Sequence, residues 1–312
     1  MGVRHRIRAR IEPLLARVAV FCVRPLMHNR GYFGFWEKHG FHITPVHFYS
    51  PIPDTRALPE SIWEAESELP GVEMNVAGQL RLLREVFPQY HDEYRTFAHH
   101  KTDDPHAFYY DNGSFVASDP AVLHCMVRHF KPRRILEIGG GFSTLVTARA
   151  AQLNGATEFT CVEPYPNATL RGGVPGLARL IEQKAQDVDR ALFAQLEAND
   201  ILFVDTSHTV KCGSEVNTLF LEIFPRLNDG VIVHVHDIFF PSDYPRAWLH
   251  DHRIFWNEQY LLHAFLIGNA AFEVLFCNSF MALKYPEDLK IAFPEAPAWG
   301  GGSFWMRKRG RA

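Results

Sequence analysis

No Cys-x-x-Cys pair, no low-complexity tract, no internal repeat and no apolar run long enough to span a bilayer occurs in this sequence. The five cysteines, Cys22, Cys125, Cys161, Cys212 and Cys277, are scattered and odd in number. That usage argues for free thiols in a reducing compartment, which for this chain means the cytoplasm. A charge surplus is also missing: 32 Lys and Arg face 35 Asp and Glu, a formal net charge of −3, so a nucleic-acid partner is not favoured. With 47% hydrophobic and 21% charged residues the composition excludes a disordered or fibrous chain, and 312 residues suffice for one large domain or a catalytic domain with an extension.

Residues 1–30 hold seven arginines and one acid, Glu12. The apolar stretch that begins at Leu14 is interrupted by Arg17, and Val18–Val23 is far too short to cross a membrane. The charges continue through it and no small-residue cleavage site follows, so it does not read as a signal peptide. A basic, solvated helix is the simpler reading, with peripheral contact to an anionic membrane as the alternative. The basic end Arg307–Arg311 reads as a solvated tail.

From about residue 105 the chain alternates short β-rich apolar runs with helical patterns, which predicts a parallel sheet with crossover helices. Strands are expected near 134–138, 158–163, 178–183, 201–205, 231–236, 272–277 and 303–307. Helices are expected at 143–153, 188–197, 214–224 and 257–267. The last two strands lack an obvious long crossover between them, so an antiparallel closing strand fits. The expectation is an α/β, Rossmann-like, doubly wound seven-stranded sheet with its last strand antiparallel, in a domain over 105–312. Residues 1–104, with aromatic and proline-rich segments and helical stretches around 61–69 and 76–87, are expected to form an extension packed on that domain.

Ile135-Leu-Glu-Ile-Gly139-Gly140-Gly141-Phe-Ser143-Thr144 reads as a buried strand that breaks into glycines and reopens as a helix. Three glycines let the backbone approach a ligand with no Cβ in the way, and Ser143 can cap the helix. A dinucleotide turn, Gly-x-Gly-x-x-Gly, has glycine where this chain has Thr144. Glu137, two residues before the first glycine, would oppose a diphosphate and suit an ammonium or sulfonium ligand. Glu-x-Gly-x-Gly resembles the first motif of class I S-adenosylmethionine-dependent methyltransferases. By that resemblance Glu137, Gly139, Gly140, Gly141 and Ser143 bind the cofactor. Glu163, at the end of the second strand and 24 residues after Gly139, can accept the ribose hydroxyls, as strand-end acids do in open α/β sheets. After the third strand the resemblance implies an acid or amide at the adenine: Asp187 first, Gln186 in reserve.

The fourth strand ends Asp205-Thr-Ser-His208 and the fifth His234-Val-His236-Asp237. Methyl transfer is an in-line displacement that needs an aligned acceptor and a base for its proton. A histidine near neutrality can be that base, and a divalent cation on Asp205 and Asp237, for which Mg²⁺ suits the oxygen ligands, would lower the hydroxyl pKa. Alternation puts His234 and His236 on one strand face, with His234 read as a core residue. His99, His100, His250 and His252 read as surface residues. The order of motifs resembles the metal-dependent sugar O-methyltransferases of the macrocin type. That resemblance implies Asp205 as a metal ligand, as a cofactor contact and as part of the catalytic site, His208 as base, and a sugar or other small polyol-like acceptor. Where those enzymes carry Glu-Asp this chain has His236-Asp237. The alternatives are a nicotinamide-dependent oxidoreductase on a similar sheet and a non-catalytic association module of the same fold.

Overall fold

In a computed structural model, which describes residues 3–310, the chain divides into two compact units, Met1–Glu60 and Ser61–Ala312. The division falls inside the stretch expected as an extension. Residues 61–104 belong to the second unit, where Leu82, Leu83, Phe87, Tyr94 and Phe97 are buried in its core. The first unit holds the helix Val3–Val23, which contains Pro13, and the short helix Phe33–Lys38.

The second unit is built on seven strands: β1 Arg134–Ile138, β2 Glu158–Val162, β3 Arg179–Ile181, β4 Ile201–Val204, β5 Ile232–Val235, β6 Phe272–Cys277 and β7 Phe304–Lys308. Their order is β3-β2-β1-β4-β5-β7-β6, parallel except that β7 runs antiparallel to both neighbours. This is the doubly wound sheet expected from the alternation of elements. Side-chain alternation sends Ile135, Phe203, Ile232 and Trp305 to one face and Leu136, Leu202, Val233 and Met306 to the other, each face covered by helices.

The helices depart from expectation where apolar periodicity is interrupted. Over 188–197 only Ala191–Ala194 is helical, and over 61–69 only Ser61–Glu64. The segments Val76–Tyr90 and Glu215–Arg226 each widen into a π-turn just before a Phe-Pro pair. Pro88 and Pro225 have no N–H to return to the preceding turn, so an ordinary helix cannot run through them. Between β6 and β7 lie two short helices, Asn278–Lys284 and Pro286–Ala292, rather than a plain hairpin.

Register positions the site. Ile138 pairs with Val162 on one side and Val204 on the other, and Val204 pairs with Val235. The next residue along each strand, Gly139, Glu163, Asp205 and His236, therefore emerges level at the carboxyl edge of the sheet. The strand order reverses between β1 and β4, the place where open α/β sheets form their ligand crevice.

Candidate active site

Gly139 leaves β1 at φ +88°, and a Cβ there would lie 1.7 Å from the carbonyl oxygen of Asp205. A Cβ on Gly140 would meet Cys161 Sγ at 2.6 Å, whereas Gly141 faces open space. The helix Phe142–Asn154 then begins with Gly141 in the cap position. Its amide donates to Thr144 Oγ1 at 3.0 Å, so Ser143 is not the cap that the sequence suggested.

Glu137 corrects the sequence reading further. Its side chain is wholly buried on the helix side of β1, where Ser143 Oγ donates to one carboxylate oxygen and Thr144 Oγ1 to the other, both at 2.7 Å. It lines neither of the two lobes of the cleft, whereas Ser143 borders one of them and gives its hydroxyl to Glu137. Strand alternation explains this placement: Glu137 takes the helix-side face, while Ile138 and the glycines after it border the crevice. Burial, partly offset by those two hydroxyl bonds, pushes the Glu137 carboxyl up to about 7 from 4.5. A raised folded-state pKa favours the fold below the unfolded value and loses that advantage as pH climbs to the folded one. Between pH 4.5 and about 7 the loss is about 3 kcal/mol. A Glu137→Gln variant is therefore expected to flatten the fall in Tm across this range. An unchanged pH profile of Tm would show that Glu137 is not the group responsible.

Glu163 stands at the cleft. Gly140 donates its amide to one carboxylate oxygen at 3.1 Å and Tyr165 to the other at 2.7 Å, which fixes the group between two lobes. One lobe, of about 460 Å³, is lined by Glu163, Tyr165, Lys184, Gln186, Lys211 and Ser214, among others. The second, of about 640 Å³, runs over Gly139–Ser143 to His208, His236, Asp237, Trp248 and Trp256. Gly139, Glu163, Asp205 and Thr206 border both. Gln186 lines the first lobe and Asp187 does not: in the 3₁₀ turn Ala185–Asp187 the acid is exposed to solvent.

At the far end of the second lobe Asp205, His208 and Asp237 converge, with one donor atom from each within 4.8 Å of the others. His208 Nε2 lies 3.1 Å from Asp205 and 3.4 Å from Asp237. Its Nδ1 is 2.8 Å from Glu258, a wholly buried acid that opens the helix Glu258–Leu266. The amides of Asn257 and Glu258 also donate to the His208 carbonyl. His208 and Asp237 both take positive φ, +53° and +57°, a strain that non-glycine residues keep where the surroundings impose it. Glu258 was missed because it lies 50 residues beyond His208 and starts a helix, where an acid ordinarily complements the dipole.

Burial alone would lower the His208 pKa, but its bonds to Asp205 and Glu258 outweigh that and hold it well above the usual imidazole value. Burial likewise tends to raise Asp205, and the charges of His236 and His208 overcome it and keep it low. Burial raises both Asp237 and Glu258. The shared proton therefore sits on the imidazole.

His236 is buried beside this cluster, 3.8 Å from Asp237 and 3.9 Å from Asp119, and its Nδ1 has no hydrogen-bond partner. Asp119 is pinned by Asn278 Nδ2 and by the amides of Gly302 and Ser303. A Cβ on Gly301 would strike Asp119, and one on Gly302 would strike the Asp237 backbone, which accounts for the late glycine run 300–302. His234 is a core residue as expected, stacked on Phe203 at 4.0 Å and held below the usual pKa by burial. His252 is exposed and lines the second lobe, which its surroundings in the sequence did not suggest.

Residues 136–238, from the glycine-turn strand through Asp237, match the sequence profile of a family described as a methyltransferase domain. An uncharacterised protein of Archaeoglobus fulgidus is 36% identical over 169 residues, half of this chain and 75% of that one. Among solved structures, the O-methyltransferase TomG of Streptomyces achromogenes, crystallised with S-adenosylmethionine, aligns at 17% identity over 77% of this chain and 92% of its own, with a TM-score of 0.40. An O-methyltransferase of Bacillus cereus aligns at 14% identity over 73% and 90%, with a TM-score of 0.39. The glycine turn, the strand-end acid Glu163 and strands β2, β3, β4 and β5 of the 3-2-1-4-5-7-6 sheet all lie within the residues that match the methyltransferase-domain family.

Proposed function

We propose that this protein transfers a methyl group from S-adenosylmethionine to a hydroxyl of a sugar or another small, polyol-like molecule, with His208 as the base. The observation that carries this reading is the shared border of the two lobes: a cofactor over the glycine turn and an acceptor against His208 would meet at Asp205 and Gly139. The crevice suits the cofactor. The backbone of Gly139–Gly141 borders the crevice and Gly141 leaves open space for its methionine end, Glu163 offers acceptors to a ribose, and Gln186 offers an amide to an adenine. Bound there, S-adenosylmethionine supplies a methyl on a positively charged sulfur.

The chain's own residues do the rest. Asp205 and Glu258 fix the imidazole ring, and His208 Nε2, once deprotonated, accepts the hydroxyl proton. Trp248 and Trp256 wall the acceptor lobe and can stack on the apolar faces of a sugar ring. The carboxylates of Asp205 and Asp237, which converge beside His208, also fit a divalent cation and leave Nε2 to act as base. Mg²⁺ on Asp205 and Asp237 would lower the acceptor's pKa. Five unpaired thiols accord with work in the cytoplasm.

Calorimetric titration tests the cofactor: binding of S-adenosylmethionine is expected, with no heat from NAD. A Glu163→Ala variant is expected to bind at least about 10-fold more weakly, since charge-assisted hydrogen bonds contribute about 1.5–3 kcal/mol each. Binding of NAD instead would restore the oxidoreductase alternative. Transfer of radiolabelled methyl to sugar hydroxyls separates an enzyme from an association module. Full activity after EDTA treatment would remove Asp205 and Asp237 from the metal-ligand role.

A further inference from the structure

Among the described residues of the unit 1–60 none is buried, yet it holds fourteen of the 23 exposed large apolar side chains, all between Ile11 and Ile52. Phe21, Phe48 and Tyr49 are each more than 80% exposed. On the helix Val3–Val23, Leu14, Val18 and Phe21 recur at the spacing that shares one side, with Leu15 beside them. Large apolar groups are costly to leave in water, and their concentration in one unit marks a candidate binding surface.

Charge identifies what covers it. Residues 1–60 carry nine basic and four acidic residues, the remainder 23 and 31. The chain as a whole is mildly acidic, and its positive charge is gathered on the unit with uncovered apolar groups. The arginines at 4, 6, 8 and 10 precede Pro13, and the apolar run follows it. Basic residues next to exposed leucine, phenylalanine and tyrosine match an anionic bilayer surface, where headgroups take the charge and the acyl boundary takes the rings. The same unit of a second copy, with nine basic and four acidic residues of its own, would bring like charge and repel. No helix among the described residues is long and apolar enough to cross the bilayer, so the contact is peripheral.

We infer that residues 1–60 dock the protein on an anionic membrane surface, independently of the chemistry at the crevice. The test is co-sedimentation of the full chain with vesicles of phosphatidylcholine, with and without phosphatidylglycerol. Partition onto the anionic vesicles is expected to exceed the neutral ones at least about 10-fold and to fall as salt rises. An Arg8→Gln, Arg10→Gln variant is expected to lose about fivefold per arginine, and Phe21→Asp to reduce binding further, with the Tm of the second unit unchanged. Equal partition onto both vesicle types, or none, would overturn the proposal. So would a salt-stable dimer in light scattering that Phe21→Asp disperses, which would assign the surface to a second copy.

Discussion

A His208→Ala variant is expected to lose about 10²–10⁴-fold in the rate of methyl transfer while binding S-adenosylmethionine as tightly as the parent. The imidazole borders the acceptor lobe and is absent from the lobe that Gln186 and Tyr165 line. Activity unchanged by the substitution would end its assignment as base. The pH profile adds a second check with a fixed sign. Bonds to Asp205 and Glu258 hold the ring charged well past its ordinary pKa against the opposing effect of burial. The resting site is therefore protonated at neutral pH, and the rate is expected to climb with pH through a value above 6.5. Stability runs the other way. The contribution of the charged ring is complete below 6.5 and is lost as pH rises through the folded-state pKa, so activity and Tm diverge with pH. A Glu258→Gln variant keeps an acceptor for Nδ1 but removes its charge, and should move the rising limb of the rate toward lower pH. An unmoved limb would separate Glu258 from the proton transfer.

The legibility of this chain followed the reach of each signal. Strands β1, β2, β4 and β5 were readable because parallel strands buried on both faces are continuous apolar runs, and each ended in the residue that the register brings to the crevice. Glu163, Asp205, His208 and Asp237 were legible for that reason: they sit one to four residues past a strand end. Glu137 was misread because its motif marks the turn and says nothing of which face the acid takes. Alternation places it with Ile135, under the helix, where its two hydroxyl partners lie. That Gln186 and not Asp187 lines the first lobe was not legible, because a 3₁₀ turn rotates each side chain by a third of a turn, and no periodicity reports that. Glu258 and Asp119 act across 50 and more than 100 residues of sequence, and only the folded sheet brings them to His208 and His236.

A Gly139→Ala variant is expected to be the most damaging single methyl group in the molecule. The residue is held from both sides: its amide donates to the Val162 carbonyl, and the Asp205 amide donates to the Ile138 carbonyl just before it, both at 2.9 Å. The added carbon would lie 1.7 Å from the Asp205 carbonyl oxygen and 2.8 Å from the carbonyl carbon, both backbone atoms that no rotamer change can move. Relief requires β1 and β4 to part at their carboxyl ends, where Glu163, Asp205 and His208 are aligned. The left-handed conformation at φ +88° costs an alanine about 1–2 kcal/mol, and forced overpacking typically adds about 1–3. Set against a total stability of about 5–15 kcal/mol, this is a large share, and Tm should fall by about 10 °C with cofactor binding lost in calorimetry. Gly141→Ala is the control: its Cβ meets nothing within 4 Å, so its loss of Tm should be much smaller, and any weakening should be confined to cofactor affinity at the crevice it lines. Equal losses of Tm in the two variants would mean that the glycine run serves chain flexibility and not close approach of β4. A normal Tm in Gly139→Ala would mean that the β1 turn is not held against Asp205, and the shared border of the two lobes would go with it.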